Sequence, residues 1–249
     1  MTLNEFFKKY NSVALAFSGG VDSAYLLDVA VRSGAKIKAY YVKSQFQPSF
    51  ELSDAKRLAS SLGVEMSIID VDVLLDKNIV ANPKNRCYYC KNKIFSSIID
   101  AAKKDGYTTV IDGTNASDDV ADRPGMKVIA ELGILSPLRI CGLTKEEIRK
   151  YSKENGLFTW NKPAYACLAT RIATGEEITA KKLLRTEKSE AYLSSLGLRD
   201  FRIRSSNNTA KLQIRASDIQ ALISNREKIL EELKKSYNSV VLDLEVRDE

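Results

Sequence analysis

The sequence predicts an α/β protein, with a doubly wound parallel sheet in residues 1–175 and a small α+β domain in residues 176–249. Two observations predict this fold class. Short apolar runs alternate with segments of helical period as far as residue 155, which is the pattern of βαβ units. The first apolar run also passes directly into two glycines and a new helix, a turn typical of open parallel sheets.

The elements of the sheet domain follow from apolar spacing and from the residues that end helices. Val13 to Phe17 are apolar throughout, which predicts a buried strand. Gly63 and Gly156 follow two helical segments, where a glycine commonly caps the helix. The predicted strands cover residues 13–17, 36–42, 66–71, 109–112 and 136–139. The predicted helices cover residues 4–10, 23–32, 53–62, 91–104 and 144–155.

The pattern changes after about Gly175. The predicted helices there cover residues 180–196 and 218–237, and the predicted strands cover residues 201–204, 210–214 and 240–246. Asn207 and Asn208 separate the first two of these strands, which is a hairpin signal. The order α-β-β-α-β predicts the small α+β domain.

The composition excludes several classes of protein. With 44% hydrophobic residues in 249, the chain has enough apolar surface for a core, so disorder is not expected. It contains no apolar run of membrane-spanning length, and its first residues, MTLNEFFKKYNS, lack the apolar region of a signal peptide. We therefore expect a cytoplasmic protein with no membrane partner. The absence of histidine excludes a Ser-His-Asp triad and any histidine metal ligand.

The charged residues indicate an ordinary solvated surface more than a nucleic-acid interface, and a site for anionic small molecules would also use the positive excess. The chain has 38 Lys and Arg against 32 Asp and Glu, a net charge of +6, but the two signs are mixed along it. The four cysteines are expected to be reduced thiols in a cytoplasmic protein. They are then metal ligands, reactive groups or core residues.

The segment SGGVDS, residues 18–23, is the sharpest motif. Gly19 and Gly20 let the backbone approach an anion, and the N–H groups of the turn and helix start then point at it. Ser18 and Ser23 add hydroxyl donors. Asp22 would repel a phosphate, so it is expected to order the loop or to hold Mg²⁺. The alternative is an ordinary helix cap after a glycine turn.

SGGVDS resembles the pyrophosphate loop of the PP-loop ATP pyrophosphatases, and it lacks the GK[ST] ending of a Walker A loop. The resemblance implies the PP-loop (adenine nucleotide alpha hydrolase-like) fold, ATP binding, adenylation of a substrate and release of pyrophosphate. The loop is shared by GMP synthetases, NAD synthetases, argininosuccinate synthetases and tRNA sulfur-insertion enzymes, so it predicts a reaction class and not a substrate.

Further segments narrow the resemblance to LarE-type ATP-dependent sulfur transferases over most of the chain. They are NPKNRCYYCK (82–91), DGTNASDDVADRPG (112–125), LTKEEIR (143–149) and WNKPAYACLATR (160–171). This resemblance implies adenylation of a pyridinium-3,5-biscarboxylate mononucleotide-like substrate and sulfur insertion to give a thiocarboxylate, a step in nickel-pincer nucleotide synthesis. It also implies a homo-oligomer, with a hexamer as our hypothesis, and a supply of sulfide or another sulfur donor.

Three residues outside the loop are candidates for the nucleotide site. Ser44, at the end of the second strand, is placed for the adenine or ribose of ATP. Gly113 follows the fourth strand and is expected to border the same crevice. Arg123 is a candidate phosphate ligand, with a surface ion pair as the alternative.

The sulfur source has several interpretations. Cys167 matches the family cysteine that donates its own sulfur and becomes dehydroalanine. Members that also carry the pair Cys87 and Cys90 are expected to bind a [4Fe-4S] cluster through all three cysteines. The alternatives are single-use donation by Cys167, a structural zinc site that adds Cys141, and a redox pair of Cys87 with Cys90. Cys141 alone is expected to be a buried packing residue.

The second domain holds the other candidates. Arg202 and Arg204 lie on one face of a strand and match a family pair that contacts the substrate phosphate; an exposed strand face is the alternative. Glu190 matches an acidic residue near that site. Arg171 is a candidate for stabilising the adenylate or thiolate, with an ion pair as the alternative. A tRNA thiolase of the same superfamily and a nucleotide-sensing or cluster-storage protein without turnover are the competing functions.

Overall fold

The computed structural model describes residues 1–118 and 124–245. The strands are β1 (Ser12–Ala16), β2 (Lys36–Lys43), β3 (Met66–Asp70), β4 (Val110–Ile111), β5 (Arg202–Ser206), β6 (Thr209–Gln213) and β7 (Ser239–Leu242). The helices are α1 (Leu3–Lys9), α2 (Val21–Arg32), α3 (Ser49–Ser61), α4 (Lys77–Val80), α5 (Arg86–Lys104), α6 (Pro124–Glu131), α7 (Pro137–Ile140), α8 (Lys145–Glu154), α9 (Ala180–Ser195), α10 (Ile219–Ser224) and α11 (Arg226–Leu233). Two short 3-10 helices cover Leu168–Arg171 and Ala216–Asp218.

The chain divides into two compact units. Unit 1 contains residues 1–73 and 85–164, and unit 2 contains residues 74–84 and 165–249. This division differs from the expected boundary after residue 175, because unit 2 begins at Tyr165 and also takes in an earlier segment. Apolar periodicity does not indicate that residues 74–84 belong to unit 2, because their position depends on contacts with residues about 90 positions away in the chain.

Unit 1 contains a four-stranded sheet in the order β3-β2-β1-β4, and all its neighbouring strands are parallel. The predicted α/β fold with a parallel sheet is therefore confirmed. β1 is buried because it lies inside the sheet, which explains its uninterrupted apolar sequence. The core of this unit combines the sheet with α1, α2 and α3, and includes Phe6, Leu15, Leu26 and Leu58.

The predicted fifth strand over residues 136–139 is wrong. Pro137 opens the short helix α7 there, as proline often does at a first helical position. Strand pairing at this place is limited to one bridge between Leu135 and Ile111. Proline has no N–H for a strand ladder, which favours the helix.

Unit 2 contains a three-stranded sheet in the order β5-β6-β7. β5 and β6 form an antiparallel hairpin around Asn207 and Asn208, which both adopt positive φ as the predicted turn requires. The single predicted helix over 218–237 is instead two helices. They are separated at Asn225, whose side-chain amide donates to the carbonyl of Ala221 and competes with the helical pattern.

Asn82 joins the early segment of unit 2 to the rest of that unit. It is 1% exposed, and its amide nitrogen lies 3.3 Å from the carbonyl oxygen of Ile172, 2.8 Å from that of Ala173 and 3.2 Å from that of Glu176. Its backbone carbonyl accepts the N–H of Gly175 at 2.8 Å. Asn82 also has a φ of 53°, which asparagine tolerates better than most residues.

We expect Asn82→Ala to destabilise unit 2 by about 2–3 kcal/mol, because it removes the amide bonds and strains a left-handed backbone. Denaturant unfolding measures the loss. Asn82→Gly is the matched control. Glycine accepts the positive φ without strain, so its loss of stability measures the side-chain hydrogen bonds alone. An Asn82→Ala protein within about 0.5 kcal/mol of the wild type would contradict this role.

Among the described residues, no helix combines the length and the apolar character that crossing a membrane requires.

Candidate functional site

The glycine loop lies between β1 and α2 in unit 1, as predicted. Gly19 has a φ of 70°, and Gly20 stands at the N-cap of α2 without a capping side chain of its own. The hydroxyl oxygens of Ser18 and Ser23 are 3.1 Å apart, and the N–H of Gly20 donates to Ser18 Oγ at 3.3 Å. These hydrogen bonds hold the loop together. The first N–H groups of the 12-residue helix α2 are of the kind that can bind an anion.

Neighbouring segments leave little room for a side chain at Gly19 of the loop and at Gly113 after β4. A methyl group on Gly19 would lie 3.0 Å from Cβ of Ala55 in α3. A methyl group on Gly113 would lie 3.0 Å from the backbone nitrogen of Ser23. The loop after β4 thus packs against the start of α2, so Gly113 lies beside the anion loop as expected.

Asp22 is held by two partners in unit 1. Its Oδ2 lies 2.5 Å from the ammonium of Lys145, and its Oδ1 accepts the amide of Asn115 at 3.3 Å. These contacts fit the interpretation that Asp22 orders the loop. Lys145 was not selected as a site residue from the sequence, although it lies in the segment LTKEEIR that contributed to the resemblance.

Asp112 braces the end of β4 below Gly113. It is 6% exposed and accepts hydrogen bonds from the hydroxyls of Thr114 and Ser136, at 2.5 and 2.6 Å. Burial raises the pKa of the Asp112 carboxyl, and the bonds from Ser136 and Thr114 act in the opposite direction. Asp112 therefore fixes the backbone that carries Gly113.

Ser44 follows β2, as predicted, and its polar groups bond within its own turn. Its hydroxyl and N–H donate to the side-chain oxygen of Gln47 at 2.6 and 3.1 Å, and its Oγ accepts the N–H of Phe46. Ser44 therefore belongs to a turn at the carboxyl end of β2, an inner strand of the sheet. Arg123 lies outside the described residues.

Cys87 and Cys90 lie three residues apart near the start of α5, which begins at Arg86 and not at residue 91 as predicted. Residues three apart on a helix share a face, so the two thiols can act together. Cys87 is exposed and Cys90 is half-buried. Arg86 lies beside the pair, with a nitrogen 3.9 Å from Sγ of Cys87.

Cys167 belongs to unit 2, where it stands at the N-cap of the 3-10 helix that ends at Arg171. Its carbonyl accepts the N–H and the hydroxyl of Thr170 at 2.9 and 2.8 Å. The thiol is half-buried. Across residues 1–118 and 124–245, no three Cys, Asp or Glu side chains gather into a group suited to a metal ion.

A buried ion pair holds the turn that carries Cys167. Arg171 is fully buried, and its guanidinium contacts both carboxylate oxygens of Glu190 at 2.7 and 3.2 Å. A third nitrogen donates to the carbonyl of Ala166 at 2.8 Å. Glu190 also accepts the hydroxyl of Tyr165 at 2.5 Å and the N–H of Ile203 at 3.0 Å. The structure thus shows the ion-pair alternative for Arg171.

Arg202 and Arg204 both reach the same turn. The guanidinium of Arg202 lies over the ring of Tyr165, 5.7 Å from its centroid. Arg204 donates to the carbonyl of Thr170 and, at 2.9 Å, to the side chain of Gln213. Arg202 is 8% exposed, so an exposed strand face does not describe this pair. Tyr165, which joins Arg202 to Glu190, was missed because a tyrosine carries no sequence signal for this position.

Comparison with known proteins places these features in a family. The family model described as "Queuosine biosynthesis protein QueC" matches residues 12–177. The chain is 30% identical to the pyridinium-3,5-bisthiocarboxylic acid mononucleotide synthase of Lactiplantibacillus plantarum, over 98% of this chain and 89% of that protein. It is 36% identical to an uncharacterised protein of Synechocystis, over 98% and 92%. The tRNA-specific 2-thiouridylase MnmA of Thermotoga maritima is 28% identical over 58% of this chain and 52% of its own length.

Proposed function

Because this chain belongs to the PP-loop family, as a LarE-type ATP-dependent sulfurtransferase, we propose that it converts a carboxylate of a pyridinium mononucleotide into a thiocarboxylate. The substrate class comes from the name of the Lactiplantibacillus relative, a pyridinium-3,5-bisthiocarboxylic acid mononucleotide synthase. One observation supports the proposal most directly. The chain carries both an anion-binding loop at a helix start and a cysteine on a turn held by a buried ion pair.

The first step is adenylation. A carboxylate oxygen of the substrate attacks the α-phosphorus of ATP, a new O–P bond forms, and the bond to pyrophosphate breaks. The backbone N–H groups between Ser18 and Ser23 stabilise the departing pyrophosphate. We propose that Mg²⁺ accompanies the nucleotide, with Asp22 as its carboxylate ligand from the protein. A single carboxylate with substrate phosphates is a common environment for this ion.

The second step replaces oxygen by sulfur. A sulfur nucleophile attacks the acyl carbon, and AMP leaves with its electron pair. If Cys167 is the nucleophile, the product is a thioester on the protein. Loss of the Cα proton of Cys167 and cleavage of its Cβ–S bond then release the thiocarboxylate and leave dehydroalanine. This sequence needs no oxidant or reductant.

A renewable sulfur source is the second form of the proposal, with a [4Fe-4S] cluster bound by Cys87, Cys90 and Cys167. Thiolates suit such a cluster, and two of these cysteines share one helical turn. The third belongs to the other compact unit, so neither unit alone holds a three-cysteine site. The fit is therefore partial, and the steps above do not depend on the cluster. When bound, it would supply sulfur for repeated turnovers.

Arg202 and Arg204 are proposed to bind the phosphate of the substrate nucleotide. Paired guanidiniums match phosphate geometry, and both of these contact the turn that carries Cys167. Arg171 and Glu190 are proposed as positioning residues, because their charges neutralise each other and fix the same turn. Ser44 is proposed to border the adenosine, and Arg123 to contact phosphate.

The cellular setting is also part of the proposal. We propose that the protein is cytoplasmic, where its four cysteines, none of them in a disulfide, stay reduced. We also propose that sulfide or another sulfur donor supplies it. We propose a homo-oligomer, with a hexamer as the specific hypothesis.

The function is tested by incubating anaerobically purified protein with ATP and pyridinium-3,5-biscarboxylate mononucleotide and measuring the products. We expect pyrophosphate and AMP to form together with a thiocarboxylate identified by mass spectrometry. Omission of the acid should suppress pyrophosphate release. Nicotinate mononucleotide, which carries one carboxylate, is the matched control for substrate class. Tight tRNA binding with a steep salt dependence, and no thiocarboxylate, would favour the tRNA thiolase instead.

A further inference from the structure

A second lysine stands at the glycine loop in unit 1, and the function proposed above gives it no role. The ammonium of Lys162 lies 2.7 Å from a carboxylate oxygen of Asp54 and 3.5 Å from the carbonyl oxygen of Gly19. Its side chain is 16% exposed, and that of Asp54 is 31% exposed. A positive charge is therefore held next to the backbone of the anion loop.

The segment that carries Lys162 is fixed to α8. Arg149 donates one guanidinium nitrogen to the carbonyl of Trp160 at 2.7 Å and another to the carbonyl of Lys162 at 2.9 Å. Lys153, one turn further along α8, lies over the ring of Trp160 at 4.8 Å. The backbone of residues 160–162 is thus clamped, so the approach of Lys162 to the loop is set by more than its own ion pair.

Helix α3 contacts both the glycine loop and Lys162. Its Ala55 lies so close to Gly19 that a methyl group there would be only 3.0 Å away. Asp54 precedes Ala55, and the ring of Phe50, one turn earlier, is 5.6 Å from the Lys162 ammonium. The loop, α3 and Lys162 therefore meet at one place in unit 1.

The charges around the loop indicate what Lys162 does. SGGVDS lacks the lysine that a Walker A loop supplies to phosphates. Lys145 pairs with Asp22 at 2.5 Å, within the loop itself, whereas the partner of Lys162 is Asp54, which lies outside the loop. The Lys162–Asp54 pair is partly exposed to water, and such pairs are weak. The triphosphate of ATP carries several negative charges and would compete well for the same ammonium.

We propose that Lys162 is a phosphate-binding residue of the ATP site, whose ammonium exchanges Asp54 for the β- and γ-phosphates when the nucleotide binds. This proposal rests on the loop being the ATP site and not on the identity of the sulfur acceptor. It also gives Asp54 a role, which is to hold the ammonium near the loop while the site is empty.

Binding of α,β-methylene-ATP, measured by titration calorimetry, tests the proposal, because this analogue cannot release pyrophosphate. We expect Lys162→Met to weaken binding about tenfold or more, the usual effect of losing a charged hydrogen bond. Lys162→Gln is a second neutral variant if the methionine protein folds poorly. Lys150→Met removes an exposed lysine of α8 and should leave binding unchanged.

Asp54→Asn separates phosphate binding from a purely structural ion pair. If Lys162 binds phosphate, this variant should bind the analogue as tightly as the wild type or more tightly, because the competitor for the ammonium is weakened. If the ion pair only supports the loop, Asp54→Asn should lose as much affinity as Lys162→Met, which would overturn the proposal. Wild-type affinity in both neutral Lys162 variants would overturn it too. If the expected binding pattern holds but the wild type makes no thiocarboxylate, the substrate assignment fails and the role of Lys162 stands.

Discussion

Replacing Cys167 by alanine is expected to reduce thiocarboxylate formation to background while ATP-dependent pyrophosphate release continues. Cys167 is required for sulfur transfer whether it donates its own sulfur or binds a cluster. The loop that we propose stabilises pyrophosphate belongs to unit 1 and does not include this side chain. Measuring pyrophosphate and thiocarboxylate in the same reaction checks the separation. Sulfur transfer at the wild-type rate would exclude both proposed sulfur sources.

Two further cysteine variants complete this experiment. Cys141→Ala is the matched control, because burial raises the pKa of that thiol and it packs against the core of unit 1. It should leave both products unchanged. Cys87→Ala distinguishes the sources. Multiple turnover should be lost if a cluster supplies the sulfur, whereas a single turnover should survive unchanged if Cys167 is a single-use donor. Iron and acid-labile sulfide measured on the same samples identify which case applies.

Replacing Glu190 by alanine is expected to destabilise unit 2 by about 3–5 kcal/mol, the usual range when one partner of a buried ion pair is removed. Arg171 has no exposed surface, so its charge would stay buried without the carboxylate. The hydroxyl of Tyr165 and the N–H of Ile203 would lose their acceptor as well. Denaturant unfolding measures the loss.

The Lys182–Glu176 pair supplies the control for this stability experiment. It lies in the same unit, but its side chains are 24% and 23% exposed. Glu176→Gln should therefore change stability by about 0–1 kcal/mol. A double variant, Arg171→Met with Glu190→Leu, should recover the part of the loss that comes from the unpaired charge, while Tyr165 and Ile203 still lack their acceptor. Equal losses for Glu190→Ala and Glu176→Gln would show that burial of the first pair has no energetic effect.

Most of unit 1 was predictable because its signals are local. The apolar run of β1, the glycines of the loop and the amphipathic helices each occupy a few consecutive residues. The wrong secondary-structure predictions occur where the hydrogen bonding of a single residue overrides the apolar periodicity. Pro137 converts an expected strand into α7, and Asn225 divides an expected helix into α10 and α11. Both residues act through backbone hydrogen bonds, which periodicity does not report.

The candidate site was predictable only in part. The sequence identified the loop and Cys167 by motif, and it identified Arg171 and Glu190 as separate candidates. It did not indicate that these two neutralise each other, because 18 residues separate them along the chain. It also did not bring Lys162 to Gly19 or Lys145 to Asp22, which are 143 and 123 positions apart.

The sequence by itself determined the fold class, the family and the residue types available for chemistry, because periodicity and short motifs are local properties of the chain. Tertiary structure alone decided which charges meet. It paired Arg171 with Glu190, engaged Asp22 with Lys145, and held Lys162 beside the loop through Arg149. The physical reason is that an ion pair depends on distance and burial in space, and these are set by packing between elements that lie far apart in the sequence.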